Sequence, residues 1–409
     1  MYRGIILKQQ LKTCANKWFA SQAAAAVQES SSPKLSELKN GLKVVTANQG
    51  AYGARITLLV KTGSKDDAAP GLTHCIQATS GLTNNKNTAF LTTQLLSALG
   101  AEMEVIAGRE NIMYTVGCNP NVVKDILVDV LYPVVLGAKF PWWEVRDVVS
   151  LMKYQKAIAE TDPCYLLMES AHKASFSNSF GSPLLCPDYM MGQHTTEMLV
   201  SRHNSTFNLK NMVLAGTGIS QDVLIDAGLG LENLSTGKEA EQTTAPKFVS
   251  SEVHVEKPSD LVHAALTFPG ASLNNKNAVA LSVLQHAMGS ISSIKRSSGM
   301  NHGVVNAAVE SATNAVFNTS TFSLNYADTG LFGVHVVAQK NDFAKVMETT
   351  AAQCSKIASS GLSDTAIEAA KQRLKAKICM STENSSQTVE DIAVQAATIG
   401  TVATPSKIM

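Results

Sequence analysis

Residues 71–82 read GLTHCIQATSGL. The stretch places a histidine, His74, in a helical context, with Gln77 three residues on and Ala78 four residues on. A zinc helix of the H-x-x-E-H type needs other side chains at those two places. Residues i and i+4 share one helical face, so two histidines at that spacing can hold one metal. The glutamate just before the second histidine takes a proton from the zinc-bound water, and a more distant acid is the third ligand. Here only His74 is intact. The Gln77 amide cannot accept a proton near neutral pH, and Ala78 has no ligand atom. Cys75 points about 100° away from His74 around the helix and is a poor substitute. Downstream, VVSLMKYQKAIA (148–159) contains no Asp or Glu. The expectation is therefore a packed helix, with no catalytic residue, no metal ligand and no cofactor site.

The chain around this stretch has 409 residues, 45% hydrophobic and 16% charged, enough for large cores in two to four domains. A net charge of +1 argues against general nucleic-acid binding. No run approaches the roughly 18 apolar residues of a membrane span, so membrane contact is expected only through partners. Seven cysteines, an odd number without C-x-x-C, suit free thiols in a reducing compartment. The N-terminus departs from the rest. Residues 1–28 carry Arg3, Lys8, Lys12 and Lys17, and no acid occurs before Glu29. This is the composition of a mitochondrial transit peptide. Without it the chain has thirty basic groups against thirty-three acidic ones, a balance of −3.

Two halves share one order of elements. In residues 35–234, GLKVVTAN and ARITLLVKTGS read as strands, and helices follow near 71–80 and 86–99. AEMEVIAGRENIMYTVGC reads as a hairpin turning near Gly108. Two helices cover about 121–136 and 142–159. In residues 250–409, LVHAALTF is a strand and NAVALSVLQHAMG a helix. STFSLNYADTGLFGVHVVA is a strand pair turning at Asp328-Thr329-Gly330. A helix from Asp342 to Ser360 presents Phe343, Val346, Met347, Thr350, Cys354 and Ile357 on one face. Gly361 stops it, and Ser363 caps the next. The polar segment 235–249 reads as a linker. The first half runs on through a helix at 164–175, a helix in TTEMLVSRHNSTF and the strand NMVLAGTG. After the helix near 386–399, the second half has only GTVATPSKIM. By the repeat, the second half is expected to be incomplete by one helix and one closing strand.

Other chemistry is thin. There is no Walker loop, no G-x-G-x-x-G after a strand, and no haem or iron–sulfur ligand set. The segments GRENIMYTV (108–116), CPDYMMG (186–192), SDLVHAALTF (259–268), SVLQHAMG (282–289), IKR (294–296) and NYADTGLFG (325–333) span both halves. Through them the chain resembles the pitrilysin/insulinase-like metallopeptidases. It is more similar to their non-catalytic relatives, the core subunits of the mitochondrial ubiquinol–cytochrome c reductase complex. The resemblance implies an α+β fold of two like halves, each a mixed sheet backed by helices. It also implies a scaffold on the matrix side of the inner membrane, paired with core subunit 1 in a dimeric complex, with the redox centres in other subunits. The motif Tyr326, Asp328-Thr329-Gly330-Leu331 faces substrate in active relatives. The alternative is the non-catalytic, substrate-binding subunit of the mitochondrial processing peptidase. Its glycine-rich loop is matched poorly by GSISSIKRSSGMNHG (289–303), where basic residues interrupt scattered glycines.

Overall fold

A computed structural model describes residues 33–47, 53–177, 179–231, 246–289, 303–314 and 316–404. The expected transit segment, most of the linker and the interior of the loop at 289–303 lie outside these residues. The described part is a mixed α+β molecule built on two sheets.

The first sheet has six strands: β1 (Lys34–Glu37), β2 (Lys43–Ala47), β3 (Ala54–Val60), β4 (Glu102–Ala107), β5 (Ile112–Cys118) and β6 (Met212–Thr217), in the order β1-β2-β6-β3-β5-β4. β2 and β6 run parallel, and the other neighbours are antiparallel. The expected hairpin is β4–β5, where the Gly108 N–H donates to the Asn111 carbonyl at 2.8 Å. The helices are α1 (Leu72–Thr79), α2 (Ala89–Ala98), α3 (Val123–Ile126), α4 (Tyr132–Leu136), α5 (Trp142–Ala159), α6 (Pro163–Ser175), α7 (Thr196–Thr206) and α8 (Gln221–Leu229), the last of which was not expected from the sequence. One helix expected to be unbroken is interrupted. Leu127–Leu131 forms a π turn between α3 and α4. Pro133 stands just beyond it and has no N–H for an ordinary helical bond.

The second sheet has three strands among the described residues: β7 (Leu261–Pro269), β8 (Phe317–Asn325) and β9 (Gly330–Gln339), in the order β7-β9-β8. Its helices are α9 (Asn277–Met288), α10 (Val304–Ala312), α11 (Phe343–Ser360) and α12 (Asp364–Glu383). The α11 face read from the sequence is the one that packs. Phe343, Val346, Met347, Cys354 and Ile357 join the cluster around Val334 and Val336, and Thr350 is buried. Gly361 ends α11 at φ +73°, and the Ser363 side chain accepts from the Ala366 N–H. In the first half β3 lies between β5 and β6, whereas β7 has a neighbour on one side only.

The halves exchange helices. α13 (Ser385–Thr398), last in the chain, lies on the first sheet. Its Val389, Ile392, Ala393, Ala396 and Ala397 pack against Val45, Ala47, Leu59, Val213 and Ala215. The opposite face of that sheet, with Ile56, Leu58 and Val60, packs on the helices of its own half. Both faces of β3 are therefore covered. In return α6 lies on β7, and Phe176 and Phe180 just after it pack with Leu331, Phe322 and Tyr326. Small residues at 393, 396 and 397 let α13 approach the sheet closely, and Asn384 caps its start.

Candidate functional site

The stretch that opens the sequence analysis folds as α1. Gly71 precedes it at φ +84°, a left-handed conformation that suits glycine. A Cβ there would lie 2.5 Å from the Cβ of Cys186, so the glycine also lets the 186 segment approach. Asp67 holds the helix start, accepting from the Thr73 N–H at 2.9 Å and the Thr73 hydroxyl at 2.6 Å. His74 is 1% exposed. Its Nδ1 accepts the Cys186 N–H at 3.1 Å. Its Nε2 must then carry the proton, which it donates to Gln155 Oε1 on α5 at 2.8 Å. Burial lowers its pKa, which favours this neutral form.

Both ring nitrogens of His74 are thus engaged: the one lone pair, on Nδ1, accepts from Cys186, and Nε2 carries the proton given to Gln155. Gln77 turns away and donates to the Val105 carbonyl at 2.9 Å, tying α1 to β4. Ala78 is buried. Where a zinc site needs carboxylates from two helices, this one has amides, Gln77 and Gln155. The residues present do not fit a catalytic zinc. Sequence reasoning missed Gln155. Residues 148–159 of the helix carrying it contain no Asp or Glu, but only packing shows which residue there meets His74. The Cys186 contact, 112 residues away, left no signal at all.

The second place singled out by the sequence, the turn at Tyr326, is bolted to the first half. His172 Nδ1–H donates to the Met168 carbonyl at 2.7 Å, so its Nε2 accepts from the Tyr326 hydroxyl, also at 2.7 Å. The Tyr326 ring lies 4.6 Å from that of Phe180, centroid to centroid. The Ala327 N–H donates to the Glu110 carboxylate at 3.0 Å, and Lys65 pairs with the same carboxylate at 3.2 Å. Arg109, beside them, is buried and paired with Glu169. Burial, and next to it the charge of Arg109, lowers the His172 pKa to about 4. Burial pushes the Tyr326 phenol up to about 12. The segment GRENIMYTV thus supplies Arg109 and Glu110 to a seam between the halves. In this chain the Tyr326 motif has a structural partner in place of an open cleft.

Comparison with known proteins agrees with the two-part build. The family model "Insulinase (Peptidase family M16)" matches residues 43–188, and "Peptidase M16 inactive domain" matches residues 194–374. The chain is 34% identical over 378 residues to human "Cytochrome b-c1 complex subunit 2, mitochondrial", covering 92% of this chain and 83% of that protein. It is 31% identical over 407 residues to the mouse protein of the same description, covering 96% and 89%. To "Probable mitochondrial-processing peptidase subunit alpha-1, mitochondrial" of Arabidopsis thaliana it is 27% identical over 378 residues, covering 91% and 75%. On these matches and the fold that carries them, the chain belongs to the insulinase-like peptidase family M16.

Proposed function

We propose that this chain is a non-catalytic, structural subunit of the mitochondrial ubiquinol–cytochrome c reductase complex. It supports electron transport from ubiquinol to cytochrome c without holding a redox centre. Its partners are core subunit 1 and the other subunits of a dimeric complex. It sits peripherally on the matrix side of the inner membrane and reaches the membrane through those partners, after import directed by residues 1–28. The observation that carries the non-catalytic part is the closed hydrogen-bond circuit of His74, with both ring nitrogens engaged and an amide where each carboxylate would stand. The greater identity to cytochrome b-c1 complex subunit 2 than to the processing-peptidase subunit supports the choice of complex. Among the described residues, no helix is long and apolar enough to cross a membrane, which suits attachment through partners. Co-purification of a tagged chain from mitochondria tests the reading. Haem-bearing partners are the expected result. A single peptidase partner and no haem would favour the substrate-binding subunit of the processing peptidase.

A further inference from the structure

β7 and β9 run antiparallel, with Ala265 opposite His335 and His263 opposite Val337. Side chains of one parity share one face of a sheet. His263 and Thr267 of β7 therefore share a face with Leu331 and His335 of β9. That face is turned to the first half. Ser175 of α6 meets Thr267 there, hydroxyl to hydroxyl at 3.1 Å, and Leu331 packs with Phe176 and Phe180. The two histidines are diagonal neighbours, one on each strand. Their rings stack with centroids 5.6 Å apart, and His263 Nδ1 lies 3.4 Å from His335 Nε2. The β7–β9 register sets this pair, and the outer edge of β7 plays no part in it.

A neutral imidazole has one N–H and one lone pair, so one of the two facing nitrogens can donate to the other. At 3.4 Å that bond is long against the usual range of roughly 2.7–3.2 Å. The spacing suits a metal better. With N–metal bonds of about 2.1 Å, the tetrahedral angle places two ligand nitrogens about 3.4 Å apart. His335 is 9% exposed and His263 half-buried, so the pair opens on the His263 side. The residues opposite His335 on its two neighbouring strands, Ala265 and Ser320, are small. Burial, and next to it the His263 ring, lowers the His335 pKa, which keeps that ring neutral and able to bind. Asp162, which caps α6, acts on His335 in the opposite sense, and the same negative charge favours a cation beside the ring.

We propose that His263 and His335 chelate a zinc ion through Nδ1 and Nε2, bracing β7 to β9 at the seam between the halves. Among the described residues, no group of three His, Cys, Asp or Glu side chains is placed to hold a metal, so water fills the remaining positions. Binding needs both facing nitrogens unprotonated. The proton between them moves to the far nitrogen of its own ring, so both rings bind neutral and no net proton is released. With two protein ligands the ion exchanges readily, and mild chelation strips it. The site lies apart from His74, whose one lone pair is committed to Cys186.

Calorimetric titration of Zn2+ into the untagged, metal-stripped full chain near neutral pH tests this. One ion per chain is expected to bind. His263→Gln and His335→Gln are each expected to weaken binding at least about tenfold, the loss usual even for a residue behind a ligand. The control is His254→Ala, which removes the exposed histidine paired with Glu252 at 3.0 Å and should leave binding unchanged. Zn2+ should also raise the melting temperature of the wild type and of His254→Ala, and of neither Gln variant. Should His335→Gln fail to fold, His263→Gln at the more open ring carries the test. The visible bands of four-coordinate Co2+ should then appear in the wild type and vanish in that variant. A wild type that takes up no Zn2+, full binding in folded His263→Gln, or loss of binding in His254→Ala would each overturn the proposal.

Discussion

His74 holds a proton on Nε2 because the Cys186 N–H occupies Nδ1. That settles what restoring the lost residues can do. Glu at 77 and His at 78 together are expected to bind no stoichiometric zinc, because His74 stays bonded and Gln155 adds no acid. Metal analysis after mild chelation checks this, and one zinc per chain in the double variant would refute it. Gln77→Glu alone also sets a carboxylate against the Val105 carbonyl and is expected to cost about 1–3 kcal/mol in a urea titration. At the seam between the halves, Tyr326→Phe removes one hydrogen bond to His172 and is expected to cost about 1 kcal/mol. The fold should survive, since the Phe180 contact remains.

At the scale of elements, α13 is the piece whose loss reaches furthest. Ile392 is 6% exposed against a sheet to which its own half contributes no strand. Ile392→Ala is expected to cost about 2–4 kcal/mol. The loss should appear in the first sheet: amide exchange at Val45, Leu59 and Val213 should speed up, while the second sheet changes less. Equal acceleration in β9 would show that the exchange of helices does not carry stability across the molecule. The charged pair Glu390 and Asp391 belongs to the same helix, and burial raises both pKa values.

For the whole molecule, the two sheets differ in cover. β3 is buried along almost its whole length, whereas no residue of β7 is fully buried and α12 buries only Ala370. Limited proteolysis is expected to cut within 250–384 before 34–231. Equal resistance of the two would count against that order. Acid should destabilise the chain. His74, His172, His194, His203, His286 and His335 all have lowered pKa values, with burial the main cause. Between the unfolded value of 6.5 and the folded value of about 4, unfolded His172 binds a proton that the folded chain refuses. Stability therefore falls as pH falls through that window, on the order of 2 kcal/mol at pH 5 from His172 alone. Asp67, raised to about 6 by burial, works oppositely and offsets part of the loss. Urea midpoints at pH 7 and pH 5 decide the sign, and a higher midpoint at pH 5 would contradict it.

Local pattern was enough to show most of the elements, and it set the expectation that residues 74–78 hold no metal. Period-2 runs gave the strands, the spacing of Phe343 to Ile357 gave a helix face, and Gln77 with Ala78 removed base and ligand by their chemistry alone. These properties depend on residues close together in the chain, so they are legible there. What His74 touches, and which sheet each helix covers, are not of that kind. Gln155 and Cys186 reach His74 from 81 and 112 residues away. α13 reads as an amphipathic helix of the second half, yet it covers the first sheet, because its narrow apolar stripe of Val389, Ile392, Ala393 and Ala396 states that it must be buried without stating against what. Only the tertiary structure decides that, since hydrophobic burial has no direction along the chain.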